Sequence, residues 1–361
     1  MLDGNRCVKL VISMEYPYYN VRLQNGEITY SDAFNDREPF DRLTHVFYIP
    51  EDALAASSEL ILLCEDEQTN GEDLYYAFLY GAPTFSNPRK LHDLNDSRIA
   101  PVNMDEKYLS DGVVYRHYFC RDKSRTPVHA YLLEVRTDKA TVITGTLNTE
   151  FRSKNTKATV PAMIDAAVLE GKSVIAAVNA DFFDIFGDNS PSGLCIKNGR
   201  IIANEDSQRP FVGIRKDGVP ILTNLAMNPD IIPTLRDAVS GLQMILKDGN
   251  PYDWAPLEPF GFTRHPRTAA GVKKDGTLLL LVIDGRIPSY SNGATLLDLA
   301  LFMQRLGADR AINMDGGGSS IMLIKKEDVF DVKNNPADLY RPNDGLIREE
   351  FNSILVLANR E

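Results

Sequence analysis

The sequence predicts an α+β protein: a mixed α/β sheet core preceded by an N-terminal β-rich, sandwich-like domain. Short apolar runs separated by polar, turn-rich pieces fill the first part of the chain. Farther on, strand-like and helix-like patterns are interleaved, as in an α/β or α+β core. At 361 residues the chain exceeds one small core, so two domains are expected, 1–100 and 101–361.

In the first domain Val8–Met14, Val46–Ile49, Leu60–Cys64 and Tyr75–Leu79 read as strands, with polar spacers such as Asn20–Arg37. Tyr16, Tyr18, Tyr19 and Tyr30 suit strand packing better than a sugar-stacking face. Asn87–Met104, rich in Pro, Asn and Asp, reads as a linker. Val128–Arg136 and Ala140–Thr146 then read as a hairpin, Thr159–Glu170 as a helix stopped by Gly171, and Ser173–Val178 as a strand. Two similar hairpins turn on Asp217-Gly218 and Asp275-Gly276, and are expected in one sheet. Ala294–Leu306 has a helical apolar period closed by Gly307, and Asn352–Leu357 reads as a last strand.

A net charge of −11 argues against a nucleic-acid partner or an anionic membrane surface. No apolar run reaches membrane-spanning length. The N-terminal residues lack the apolar core of a signal peptide, so the expected location is cytoplasmic, or extracytoplasmic if a leader has been removed. Cys7, Cys64, Cys120 and Cys195 form no C-x-x-C pair, and the five histidines have no metal-ligand spacing. No metal or other cofactor is therefore predicted, and nothing in the sequence sets an oligomeric state.

The chemistry-bearing stretch is Asn313-Met314-Asp315-Gly316-Gly317-Gly318-Ser319-Ser320, between two apolar runs. It reads either as an anion-binding nest with an acid beside it or as a glycine turn capped by Asp315. It matches neither a P-loop nor a G-x-S-x-G elbow, so Ser319 is a doubtful nucleophile. Leu278–Ile283 ends in Asp284-Gly285-Arg286, a helix follows, and Arg310–Met314 ends in Asp315-Gly316. A β-α-β crossover makes those strands parallel, with both aspartates at one sheet edge, where α/β sheets place ligands. Ser173–Val178 likewise ends in Asn179-Ala180-Asp181, so Asp181, Asp284 and Asp315 are expected to converge. Arg264-His265-Pro266-Arg267-Thr268 concentrates basic groups suited to phosphate, or else is a solvated surface loop. Phe182, Phe183 and Phe186 suit either sugar stacking or the core.

These pieces, with Pro191-Ser192-Gly193, Ser289, Ser291 and Gly293, resemble in order and spacing the phosphodiester glycosidase domain family over roughly residues 110–359. The resemblance is weakest at Arg348-Glu349-Glu350-Phe351-Asn352. It implies a hydrolase of bacterial cell-envelope carbohydrate, cleaving the C–O bond of a sugar-1-phosphodiester and releasing sugar and a phosphomonoester. The implied catalytic acids are Asp315, then Asp284 and Asp181. The implied substrate-binding residues are Asn179, His265, Arg267, Thr268, Arg286, Ser291, Gly316, Gly317, Gly318, Ser319 and Ser320. The implied partner is a phosphodiester-linked or acidic glycan. A divalent metal held by the aspartates ranks below the arginines as the source of positive charge. Two further readings remain: a non-enzymatic envelope or carbohydrate-binding protein, and a metal-dependent phosphodiesterase cutting P–O.

Overall fold

Every described strand pair in the computed structural model is antiparallel, and strands far outnumber helices. The core is therefore mostly β, and the expected α+β class with a mixed α/β sheet is overturned. The structure describes residues 99–122, 125–150, 156–184, 189–204, 206–252, 261, 263–337 and 347–358, together with the backbone of seven strands between Cys7 and Tyr75.

Two compact units divide the chain: Met1–Leu94 with Ala255–Phe262, and Asn95–Trp254 with Thr263–Glu361. In the first, β1 (Cys7–Met14), β4 (Phe34–Arg37) and β5 (Leu43–Pro50) form one sheet, ordered β1-β5-β4. A second sheet, β3-β2-β6-β7, contains β2 (Tyr19–Asn25), β3 (Ile28–Ser31), β6 (Ile61–Glu65) and β7 (Glu72–Tyr75). The polar spacer Asn20–Arg37 thus supplies three strands. The side chains of Tyr16, Tyr18, Tyr19, Tyr30 and Phe186 lie outside the described residues.

The second unit is built on an eight-stranded sheet. Its strands are β8 (Ala100–Ser110), β9 (Val113–Arg121), β10 (Pro127–Arg136), β19 (Gln243–Lys247), β20 (Asn250–Pro251), β21 (Arg267–Val272), β22 (Thr277–Ile283) and β23 (Arg310–Asn313). Their order is β20-β19-β23-β21-β22-β10-β9-β8. A five-stranded sheet, β11-β27-β13-β24-β25, uses β11 (Thr141–Gly145), β13 (Val174–Asn179), β24 (Met322–Lys326), β25 (Val329–Val332) and β27 (Ser353–Leu357). Another, β15-β14-β18-β16-β17, uses β14 (Leu194–Lys197), β15 (Arg200–Asn204), β16 (Phe211–Arg215), β17 (Pro220–Thr223) and β18 (Leu235–Ser240). The short β12 (Ala158–Thr159) pairs with β26 (Glu349–Glu350).

Inner faces of these sheets meet in one core, where Leu280 and Val282 of β22 join Val178 of β13, Ile354 of β27 and Val212 of β16. Helix α1 (Val160–Leu169) covers the outer face of the β13 sheet, and α2 (Leu296–Arg305) covers that of the eight-stranded sheet. That double cover explains why the sequence misleads. Strand β22 is buried along its whole length, a run usually diagnostic of a parallel α/β strand. Here the same burial arises in an antiparallel strand between the inner core and α2.

Several element-level expectations change accordingly. The linker Asn87–Met104 runs into β8. The expected hairpin partners β10 and β11 lie in different sheets, and so do the two Asp-Gly hairpins, β16–β17 and β21–β22. Strands β22 and β23 do run in the same direction, but antiparallel β21 lies between them, so they are not a paired crossover. The ends of β22 and β23 and the start of β21 consequently share one edge.

Candidate active site

Three loops leave that edge and are locked together by backbone contacts. The Gly317 amide donates to the Pro266 carbonyl at 2.9 Å, and the Asp315 amide donates to the Ala180 carbonyl at 2.9 Å, which ties the end of β13 into the group. A Cβ on Gly285 would lie 2.6 Å from the Pro266 nitrogen, so glycine is needed for the loops to meet. Gly317 has φ +62°, and a Cβ there would lie 2.9 Å from the Arg286 guanidinium. Arg286 itself adopts φ +65°, an uncommon conformation for a large side chain. Its guanidinium lies over the glycine loop and donates to the Ala337 carbonyl at 3.1 Å.

Around Asp315 the structure gathers acids and arginines. Asp315 is partly exposed, whereas Asp181 and Glu350 are each 1% exposed. Desolvation pushes the Asp315 carboxyl up to about 6, opposed by the Ser319 hydroxyl, Arg348, the Gly316 amide and Arg286. Asp181 accepts long hydrogen bonds from the Ser240 amide at 3.4 Å and the Asn352 side chain at 3.5 Å. Burial raises it well above the usual carboxylate range, with Arg209 opposing and Asp315 adding to the rise. Neither Glu350 carboxyl oxygen has a partner at hydrogen-bond distance among the described residues. Burial, then the nearby Asp315, raises Glu350 well above its ordinary value, and the Ser319 hydroxyl, Arg348 and Lys157 offset part of that rise.

Asp284, 1% exposed, sits in a separate polar cage. It accepts from the Asn334 side chain at 3.0 Å, the Asn335 amide at 2.9 Å and the Tyr290 hydroxyl at 3.2 Å. Desolvation outweighs these bonds and lifts its carboxyl to about 6.

Several of the sequence-predicted binding residues have intramolecular duties. Asn179 donates to the Asp315 carbonyl at 2.7 Å and accepts from the Thr268 hydroxyl at 2.8 Å and the Ile321 amide at 3.1 Å. Ser291 donates to the Asp284 carbonyl at 2.7 Å and accepts from the His129 amide at 3.0 Å. Arg267, 1% exposed, donates to the Ala294 and Thr263 carbonyls, each at 3.0 Å, and burial lowers its pKa to about 9. Arg264 braces the start of α2 through Asp298 at 3.3 Å. His265 lies 2.8 Å from the Thr263 hydroxyl, and burial with Arg267 and Arg286 pushes it down to about 3, so it is neutral. Of the glycine-loop amides, Gly316 serves Asp315 and Gly317 serves Pro266, while Gly318 lies in the short helical turn Gly317–Ser319. Ser319 accepts from Arg348 at 3.4 Å, and Ser320 is fully buried. Phe183 packs with Cys195 and Phe351.

Sequence reasoning gave Glu350 and Arg209 no role and assigned none to Arg348 and Asn352. The one available signal was the polar run Arg348–Asn352 placed directly before an apolar strand. Among the described residues, no three His, Cys, Asp or Glu side chains are arranged to hold a metal ion.

The phosphodiester glycosidase family model matches residues 172–347, a range that includes β13, β21, β22, β23 and this loop edge. The match spans just under half of the chain. The chain is 27% identical over 177 residues to the mouse N-acetylglucosamine-1-phosphodiester alpha-N-acetylglucosaminidase, covering 44% of this chain and 33% of the mouse protein. It is 30% identical over 162 residues to the SPbeta prophage-derived uncharacterized protein YomE of Bacillus subtilis strain 168, covering 41% of this chain and 24% of that protein. The chain thus spans a third or less of the length of these curated relatives. The zebrafish N-acetylglucosamine-1-phosphodiester alpha-N-acetylglucosaminidase catalytic domain, auto-inhibited by its pro-peptide, shares the fold with a TM-score of 0.55 at 21% identity, covering 73% of this chain and 88% of that one.

Proposed function

We propose that this chain is a hydrolase that cleaves the C1–O bond of a sugar-1-phosphodiester, giving free sugar and a phosphomonoester. The observation that carries the reading is Asp315: it alone of the four raised carboxyls is not fully buried, and Arg286, Arg348 and the glycine loop surround it. The family-model match and the names of the curated relatives support the reaction class.

In this reading Arg286 and Arg348 hold the phosphodiester and stabilise negative charge as it develops on the leaving oxygen. Asp315, ionised above about pH 6, takes a proton from a water that attacks C1. The C1–O electron pair leaves with the phosphate. Because that phosphate is a good leaving group, strong acid assistance is not needed. Burial raises Asp181 and Glu350 well above the usual carboxylate range, which disfavours negative charge that would repel the substrate. Arg267 and Asn179 position the loops that carry Arg286 and Asp315.

Turnover of a panel of sugar-1-phosphodiesters in oxygen-18 water tests this. The label is expected in the released sugar. Label in the phosphate means P–O cleavage and overturns the mechanism, and no turnover of any panel member overturns the hydrolase reading.

A further inference from the structure

A ring ladder beside Asp284 has no part in the scheme above. Strands β9 and β10 pair with His117 opposite Tyr131 and Phe119 opposite His129, which places these side chains on one sheet face. The Tyr131 ring stacks on His117 at 4.6 Å and 3°, and the His129 ring stacks on Tyr290 at 4.4 Å and 11°. His117 and His129 stack at 5.1 Å, and their facing nitrogens are 2.8 Å apart. Phe119 tilts against His129 at 5.3 Å. The hydroxyls continue the chain into the site, because Tyr131 and Tyr290 are 2.7 Å apart and Tyr290 donates to Asp284.

Three features point to a ligand. His117, Phe119, His129 and Tyr290 are each only half-buried, so the ladder is open to solvent in part. It is electrically neutral, since burial lowers the pKa of both histidines and raises those of both tyrosines. Finally, its strands lie outside residues 172–347, so this wall is added to the family-matched segment by the chain's own earlier strands. Aromatic faces offset by hydroxyl and carboxyl acceptors suit a pyranose, whose C–H face packs on rings while its hydroxyls take the polar rim. Among the described residues, the cation recorded against these rings is Arg121, at the far end over Phe119 at 5.4 Å, a poor site for phosphate.

We propose that the His117–Phe119–His129–Tyr290 ladder is a subsite for a neutral pyranose ring, oriented by the Tyr290 hydroxyl, which Asp284 holds in place. It determines which sugar is accepted, while the arginine side of the site takes the phosphate. This rests on the hydrolase reading for its role in turnover, but not for its ligand chemistry.

The test is calorimetric titration of the full chain with N-acetylglucosamine, glucose, galactose and mannose, and separately with inorganic phosphate. The expected result is that at least one monosaccharide binds. His129→Leu and Phe119→Ala should each weaken it about tenfold, with phosphate binding unmoved. Tyr290→Phe, which keeps the ring, should alter the ranking among sugars more than the affinity for the best one. A thermal melt of each variant identifies any that fails to fold, and Tyr290→Phe then decides alone. Sugar binding unchanged in every folded variant, or no monosaccharide bound by a protein that binds phosphate, overturns the proposal. If sugars bind through the ladder yet no phosphodiester is turned over, the hydrolase reading fails and the subsite stands.

Discussion

Asp284 gives the sharpest test of the site's electrostatics. Its carboxyl is 1% exposed and titrates near 6 instead of 3.8, a rise of about two pH units. At about 1.36 kcal/mol per unit, ionising it in place costs the fold about 3 kcal/mol. Since the folded value is the raised one, the corresponding stability is fully present below about pH 4. It declines while the unfolded chain ionises first, and it is gone once the pH has passed 6. Asp284→Asn removes the titration, at the expense of one acceptor facing Asn334. Denaturant melts of wild type and variant between pH 4 and 8 separate the two effects: the lost hydrogen bond is a constant offset of about 1 kcal/mol, and the titration is a slope. The variant should gain about 3 kcal/mol on wild type across that range. A difference that stays flat, or that falls as pH rises, would refute the claim that burial holds this proton.

Three other outcomes follow from the Asp315 side. The pH–rate profile of kcat/KM should rise through about pH 6 as Asp315 ionises, and Arg348→Ala, which removes a cation favouring that ionisation, should move the rise to higher pH; an unmoved or lowered limb would count against Asp315 as the base. Gly317→Ala should lower kcat/KM at least tenfold and reduce stability by about 1–2 kcal/mol, because the backbone is left-handed and the methyl displaces Arg286, as kinetics and melting together can read. Glu350→Gln should leave stability at pH 7 within about 1 kcal/mol, since an amide replaces an already protonated acid, and a larger loss in a melt would mean that Glu350 is ionised.

The shared edge of Asp284 and Asp315 was legible because strand direction follows from where an apolar run ends and a helix intervenes. What lay between them was not. Strand β21 enters through the Asp275-Gly276 hairpin, and no local pattern tells whether a hairpin inserts between two strands or sits beside them. The arginines of the basic run were legible as charge but not as destination. Arg267 and Arg264 turn toward carbonyls and toward Asp298 because those groups would otherwise be left buried without partners. Glu350 was illegible for a related reason. A single acid in a two-residue strand has no periodicity, and only the pairing with Ala158 fixes its place. The His117–His129 contact depends on the register between β9 and β10, which sequence spacing does not specify.

Under the proposed function, a protein of net charge −11 would act on an anionic substrate class. Asp181, Glu350 and Asp315 together would repel a phosphodiester if all were ionised, and Asp284 in its separate cage would add to that repulsion. Burial opposes that charge: it raises Asp181 and Glu350 well above the usual carboxylate range, and Asp284 and Asp315 to about 6. Arg286, Arg348 and Arg209 stay on the Asp315 side, whereas the rings on the Asp284 side are neutral. A phosphodiester is itself polarised in this way, charged at phosphorus and neutral along the sugar. Under the proposed function, two supports of opposite character would meet that asymmetry. The glycine loop supplies tight backbone turns against which a guanidinium can lie, and the β9–β10 pair supplies a flat, regular face on which rings stack. Neither support could serve the other end of the substrate, which is why the reacting bond is expected where the two meet.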